Sequence, residues 1–187
     1  MRKYKYFLLL TVTAAIVCFL LLYPHALLRF AYPIKYKEHV VKYAEENGID
    51  PFMVLAIIKV ESNFKANAQS HKGAKGLMQI TDQTALWGAE QLELHDFSIE
   101  QLFDPEINIR IGCWYLNNLQ KEFNGDIYLV LAAYNGGSGN VNRWLQDKSL
   151  SKSGKTLDKI PFKETELYVR KVLNEYNVYK KLYKSSI

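Results

Sequence analysis

The sequence has few cysteines and histidines, and it lacks a nucleic-acid-binding motif. Its two cysteines, Cys18 in an apolar run and Cys113 in a predicted helix, are not expected to meet, so we predict no disulfide and draw no conclusion about redox compartment. The four histidines are dispersed without the spacing of a metal site. We therefore predict no metal, no cofactor and no nucleic-acid partner.

Strand-like alternation of apolar and polar residues is also missing, and there are no internal repeats. Helical periodicity recurs instead after residue 37, in a composition of 49% hydrophobic and 23% charged residues that is typical of a folded domain. The predicted fold class is mainly α, a compact multi-helix domain. Its loops are expected at 70–76, 136–139 and 147–160, and its helices over 38–47, 51–61, 82–92, 105–119, 126–135 and 163–183.

The net charge of +5, from 24 basic and 19 acidic residues, does not choose a partner by itself. The basic residues are scattered, apart from a cluster at the C-terminal end. Such a balance fits anionic lipid or an anionic cell-wall polymer, and it fits nucleic acid equally well.

An uncharged run from Phe7 to Tyr23, free of proline, is at the short end of what spans a bilayer as a helix. Three cations precede it, Arg2, Lys3 and Lys5, and they favour a cytoplasmic N-terminus. We therefore expect a single-pass anchor in the cell membrane, with the rest of the chain on the extracytoplasmic side. The predicted parts are a basic N-terminus (1–6), the anchor (7–23), a juxtamembrane connector (24–37) and a folded domain (38–187).

Two other interpretations of this run remain open. A cleaved signal peptide would need a small-x-small cleavage site, which is not found around Leu-Leu-Tyr-Pro-His. A lipoprotein signal would use Cys18, but Val17 stands where a small residue is needed.

The carboxylate of Glu61 continues the apolar stripe of its helix. It follows Val54, Ile57 and Ile58 by seven, four and three residues, so all four share one face. It also lies in the last turn, where the helix dipole disfavours negative charge. Burial and the dipole both raise a carboxyl pKa, and a carboxyl protonated near neutral pH can donate a proton to a leaving group. The alternative is a glutamate at a fraying helix end, exposed to water.

Four sequence blocks favour a catalytic role for Glu61 over a solvated glutamate at a helix end. They are ESNF at 61–64, GAKGLMQ at 73–79, AYNGG at 133–137 and ETELYV at 164–169. In this order and spacing they resemble the lytic transglycosylase family, of the soluble lytic transglycosylase catalytic-domain type, which is more distantly related to goose-type lysozyme. The resemblance covers roughly residues 38 to 180 and implies a lysozyme-like domain.

Residue by residue, the resemblance implies Glu61 as the catalytic acid and base, with Ser70 and Tyr134 supporting it. It implies that Met78, Gln79, Asn135, Glu164 and Tyr168 contact the substrate. The chain departs from the family pattern at Gly136 and Ser138, where Ala and Pro are common, and at 81–83, where many members have Pro. These departures leave subsite preference open.

The implied reaction is non-hydrolytic cleavage of the β-1,4 bond between N-acetylmuramic acid and N-acetylglucosamine in peptidoglycan, giving 1,6-anhydro ends. One alternative is a lysozyme-like hydrolase on the same scaffold, for which Asp82 and Glu164 are candidate second carboxylates. Another is an inactive, membrane-tethered wall-binding scaffold. Protein partners are not predicted.

Overall fold

The structure is a computed structural model that describes residues 2–22 and 24–183. Tyr23, the predicted last residue of the anchor, lies outside the described residues, as do Met1 and the predicted end of the domain at 184–187. The chain divides into two compact units, Met1–Ile34 and Lys35–Ile187.

The described part of the first unit contains helices α1 (Arg2–Leu22) and α2 (Pro24–Ala31). Within α1, Lys3–Leu20 is long and apolar enough to cross a membrane, and its large apolar side chains are exposed. The hydroxyls of Thr11 and Thr13 donate to backbone carbonyls of the preceding turn at 2.9 and 3.0 Å, which satisfies them without water. A signal sequence has the same length and composition, so the anchor stays a prediction.

The regular elements in the described part of the second unit are all helices, and two isolated β-bridges pair Lys75 with Gln69 and with Ile80 in the loop before α5. The mainly α prediction is therefore confirmed. Its elements are α3 (Lys37–Glu46), α4 (Pro51–Ser62), α5 (Asp82–Gln91), a 3-10 helix (Ile99–Phe103), α6 (Pro105–Glu122), α7 (Ile127–Gly136), α8 (Ser138–Gln146) and α9 (Lys163–Tyr183).

Short polar side chains begin four of these helices. Asp50, Asp104 and Asp126 each accept a hydrogen bond from a backbone N–H of the following turn, and Thr81 caps α5 in the same way. Proline follows Asp50 and Asp104 at the first helical position, where its missing N–H costs no hydrogen bond.

The core is built on α4 and α7. Every residue of α4 from Met53 to Ile58 is buried, and so is every residue of α7 from Leu129 to Ala133. Helix α9 packs against both of them, α3 packs on α4, and α6 and α8 pack on α7. The two core helices end at Ser62 and Gly136, so Glu61 and Tyr134 both stand on the last turn of a fully packed helix.

Helix α8 and the 3-10 helix are absent from the sequence-based prediction. The Gly-Ser-Gly run at 137–139 reads as a turn, and α8 begins after Gly137 without a side-chain cap. Its stability comes instead from tertiary packing, since Val141 and Trp144 are buried.

One buried side chain, Asn108 on α6, joins the loop that precedes α5 to the rest of the domain. Its Oδ1 accepts the N–H of Met78 at 2.8 Å, and its Nδ2 donates to the carbonyls of Lys75 (3.0 Å) and Leu102 (2.8 Å). Gly76 packs directly over this contact: a Cβ there would lie 2.1 Å from the Leu102 carbonyl oxygen. The Asn108 amide and the close approach at Gly76 therefore both help to fix this loop against α6 and the 3-10 helix.

We expect Asn108→Ala to lower the free energy of unfolding by on the order of 2–4 kcal/mol, because it leaves the Met78 N–H and the Leu102 carbonyl unpaired, whereas the Lys75 carbonyl still accepts the Ile80 N–H at 3.0 Å.

The measurement is a pair of urea unfolding curves. Asn117→Ala on the same helix is the matched control. The half-buried Asn117 amide makes one long hydrogen bond, from its Nδ2 to Asn47 Oδ1 at 3.5 Å, so its removal should cost less stability. Equal losses in the two variants would contradict this role of Asn108.

Candidate active site

Glu61 is half-buried in the last turn of α4, and its pKa is raised from an ordinary 4.5 to about 7. The main cause is burial, which penalises the ionised carboxylate. Tyr168 and Lys171 on α9 act in the opposite direction and lower the pKa, whereas the charge of Glu164 raises it. The raised pKa agrees in direction with the one expected from the sequence.

Two tyrosines stand close to the carboxyl, and both stay neutral because burial raises their pKa well above 10. The Tyr134 hydroxyl donates to the carbonyl of Met78 at 2.7 Å. The Glu61 charge also acts on Tyr134, and the expected supporting role of Tyr134 stays a prediction. The Tyr168 hydroxyl is buried without a close hydrogen-bond partner among the described residues, yet it is near enough to Glu61 to lower the pKa of that group.

The backbone turns sharply after Glu61 and is held there by Ser62. The Ser62 hydroxyl donates to the carbonyls of Ile58 (3.1 Å) and Leu77 (2.8 Å), which ties the end of α4 to the neighbouring loop. Asn63 and Phe64 then both adopt positive φ, at 50° and 63°, and the ring of Phe64 is buried. Sequence analysis missed the role of Ser62, although it lies in the ESNF block.

The predicted substrate residues Met78 and Gln79 serve the structure of their loop. The Met78 side chain is fully buried and lies against Gly112 of α6. Gln79 has a positive φ of 49°, and its Nε2 donates to the carbonyls of Ala68 and Gly76 at 3.2 and 2.9 Å. A contact of either residue with sugar stays a prediction.

Ser70 and Asp82 are likewise engaged within this loop. The Ser70 hydroxyl accepts the N–H of Ala74 at 3.0 Å, and no hydrogen bond joins it to Glu61 among the described residues. Asp82 is paired with the buried Lys75 amine at 2.5 Å. The Asp82 carboxylate, one of the two candidate second carboxylates of a hydrolase, is therefore engaged in an ion pair.

Asn135 and Glu164 lie where α7 packs against α9, on the last turn of α7 and the first turn of α9. The side-chain Oδ1 of Asn135 accepts a hydrogen bond from the hydroxyl of buried Thr165 at 2.8 Å. Glu164 is largely exposed and forms an ion pair with Lys72 at 3.6 Å. A cavity of about 280 Å³ opens beside Glu61 and is also lined by Lys171 and Glu175. The site therefore presents one protonated carboxyl to an open space, with neutral hydroxyls beside it.

The transglycosylase SLT domain family matches residues 38–156 of this chain. The chain belongs to this family. The resemblance found in the four sequence blocks is thereby confirmed.

Curated relatives agree with this assignment. The soluble lytic murein transglycosylase of Salmonella typhimurium is 34% identical over 150 residues, covering 79% of this chain and 23% of the relative. The membrane-bound lytic murein transglycosylase C of Sodalis glossinidius is 38% identical over 125 residues, covering 58% of this chain and 33% of the relative. The chain thus spans about a quarter to a third of the length of these relatives.

Solved structures share the fold. The lytic transglycosylase Slt of Pseudomonas aeruginosa, solved as an inactive glutamate-to-glutamine mutant, superposes with a TM-score of 0.72 at 33% identity. The 70-kDa soluble lytic transglycosylase in complex with bulgecin A gives a TM-score of 0.75 at 32% identity. Each match covers 82% of this chain and 25% of the other.

We expect Glu61→Gln to stabilise the protein at pH 8 but not at pH 4. Between pH 4.5 and about 7 the unfolded chain ionises this group while the folded chain keeps it protonated, so wild type loses stability as pH rises through that window. Glutamine is isosteric and carries no charge. The gain at pH 8 should be on the order of 1–3 kcal/mol.

The measurement is the midpoint of thermal unfolding of both proteins at several pH values. Glu166→Gln is the control, because the pKa of Glu166 is lowered through its hydrogen bond with Lys163. That variant should lose stability at pH 8. A Glu61→Gln variant no more stable than wild type at any pH would show that this carboxyl is not buried.

Proposed function

We propose that this chain is a membrane-anchored lytic transglycosylase that cleaves the β-1,4 bond between N-acetylmuramic acid and N-acetylglucosamine in peptidoglycan without consuming water. The observation that carries the proposal is the half-buried Glu61 carboxyl, whose pKa of about 7 keeps it protonated at mildly acidic pH and in about half of the molecules at neutral pH. The names of the relatives and the shared fold support the same substrate.

In the first step the Glu61 carboxyl gives its proton to the glycosidic oxygen, and the bond from that oxygen to C1 of N-acetylmuramic acid breaks. N-acetylglucosamine leaves with a free hydroxyl. The 2-acetamido group of the substrate stabilises the cationic sugar, so no second protein carboxylate is needed. The pairing of Asp82 with Lys75 fits this one-carboxylate route.

In the second step the ionised Glu61 takes the proton of the C6 hydroxyl, and O6 closes on C1 to form the 1,6-anhydro ring. The burial that raises the pKa of Glu61 also makes its carboxylate a stronger base, which favours this proton transfer. Tyr168 and Lys171 limit the cost of the transient charge, because both lower the pKa of the carboxyl. The acid is regenerated, so the enzyme ends each cycle as it began.

The other predicted residues have positioning or substrate roles in this proposal. Tyr134 holds the Met78 carbonyl, and Ser70 holds the loop that faces Glu61. We assign three side-chain groups to the binding of sugar hydroxyls and acetamides. They are the Nδ2 of Asn135, the side-chain carbonyl oxygen of Gln79 and the exposed carboxylate of Glu164. Met78 would act through its backbone, since its side chain is buried.

Residues 7–23 are proposed as the anchor, 24–37 as the connector and 38–187 as the catalytic domain on the extracytoplasmic side. Support comes from the apolar helix Lys3–Leu20, from the cations before it and from membrane-bound relatives. A tethered enzyme would act on the wall nearest the membrane.

The test is digestion of intact peptidoglycan by the full chain in detergent, beside Glu61→Gln, with the products identified by mass spectrometry. We expect anhydro-muropeptides from wild type and a loss of rate of at least about 10²-fold in the variant, the usual effect of removing a general acid. Glu166→Gln is the matched control and should retain activity, because half-buried Glu166 in the first turn of α9 does not line the cavity beside Glu61.

Products heavier by one water would move the protein to the hydrolases. No products, together with wall binding that is unchanged in Glu61→Gln, would replace the enzyme with a binding scaffold.

A further inference from the structure

The short helix α2 (Pro24–Ala31) follows the apolar helix α1, with only residue 23 between the two. Proline bounds it at both ends. Pro24 separates it from α1, because proline has no N–H for the helical hydrogen bonds and its ring clashes with the preceding turn. Pro33 stops it, since the residue before a proline is disfavoured in helical conformation. The segment predicted as a juxtamembrane connector therefore contains a helix of its own.

The residues of α2 divide into an apolar and a polar side. Positions three and four apart share a side of a helix, so Leu27 and Phe30 belong to one side. His25 and Arg29 belong to the other, and Leu28 stands at the edge of the apolar side. Phe30 is 89% exposed and Leu28 is 42% exposed. The protein itself therefore leaves both of these apolar residues uncovered.

A helix of this length with an uncovered apolar side needs a partner. Isolated helices shorter than about 12–15 residues are marginal in water, and α2 has 8 residues. Its position beside α1 indicates the partner. If α1 spans the bilayer, α2 begins where the chain leaves the hydrocarbon layer. An amphipathic helix in that interface buries its apolar side at the acyl boundary and satisfies its backbone groups internally.

The polar side fits a layer of lipid headgroups. Arg29 is in the last turn of α2, where the helix dipole favours a cation. Exposed Lys35 and Lys37 follow it, and residues 24–37 contain no aspartate or glutamate. Anionic lipids attract a segment with this charge. An apolar groove of a partner protein could also cover Phe30, but the continuity of α2 with an apolar helix favours the lipid surface.

We propose that α2 lies in the extracytoplasmic interface of the membrane, with Phe30 among the lipid acyl chains and Arg29 on the headgroup side. The inference rests on the proposed anchor in α1. It adds a second, peripheral membrane contact, and the chain then leaves the bilayer along its surface.

The experiment is electron paramagnetic resonance of nitroxide labels on the full chain, reconstituted in vesicles of phosphatidylethanolamine and phosphatidylglycerol. Single labels are attached at Phe30→Cys or at Arg29→Cys in a Cys18→Ser background, since buried Cys113 stays unlabelled in the folded protein. These neighbouring positions differ in the side of the helix, so one is the matched control of the other. Power saturation measures how often each label meets oxygen, which enters lipid, and a nickel chelate, which stays in water.

We expect the Phe30→Cys label to meet the nickel chelate at least about fivefold less often than the Arg29→Cys label, and to meet oxygen more often, because the apolar side is in lipid. A label at Leu28→Cys should give an intermediate value. Frequent contact of both neighbouring labels with the nickel chelate would overturn the proposal, because both would then be in water. Rare contact of the Phe30→Cys label with both reagents would also overturn it, because protein would then cover the apolar side.

Failure of this inference and failure of the proposed function give different results. A label on the native Cys18, which is exposed on α1, reports the anchor through frequent contact with oxygen and rare contact with the nickel chelate. With that signal present, a Phe30→Cys label in water would leave the anchor and remove only the interfacial helix. A Cys18 label in water would remove the anchor and the interfacial helix together, and it would leave the chemistry of Glu61 unaffected.

Discussion

The burial of one carboxyl group at the end of α4 is the constraint on which the rest of the site depends. A buried glutamate next to a helix C-terminus is unfavourable when it is ionised, and this domain keeps Glu61 there by packing α9 against α4, whose residues 53–58 are all apolar and buried. Tyr168 and Lys171 reduce the free-energy cost of ionising Glu61 but do not remove it, since the pKa of Glu61 remains about 7. The chemistry proposed for Glu61 uses both consequences: a proton to give at neutral pH and a strong base afterwards.

Local signals in the sequence predicted most of the fold. Aspartate caps, the Asp-Pro starts and the apolar stripes are properties of single segments, and they gave α4, α6, α7 and α9 nearly to the residue. Helix α8 was missed because its stability comes from burying Val141 and Trp144 against other helices, after a Gly-Ser-Gly run that is typical of a turn. Propensity alone does not report such packing.

The sequence predicts residue types for the site but not their contacts. Glu61 and Tyr134 both lie close enough to act on Tyr168, and the Tyr134 hydroxyl donates to a backbone carbonyl. The contacts that hold the site together join residues far apart in the chain, such as Asn108 with Met78, and no local pattern reports them. Asn108 also lies on an otherwise apolar buried face, where a polar residue carries no periodic signal.

The most direct measurement is the titration of Glu61 itself. Carbon-13 NMR of protein labelled at the glutamate side-chain carboxyl carbon follows each carboxyl with pH, and the Glu61 signal is the one missing from Glu61→Gln. We predict a midpoint near pH 7 for that signal, against about 4.5 for an ordinary glutamate. A midpoint near 4.5 would mean that the carboxyl is solvated and ionised at neutral pH, and it would contradict the role of Glu61 as the proton donor.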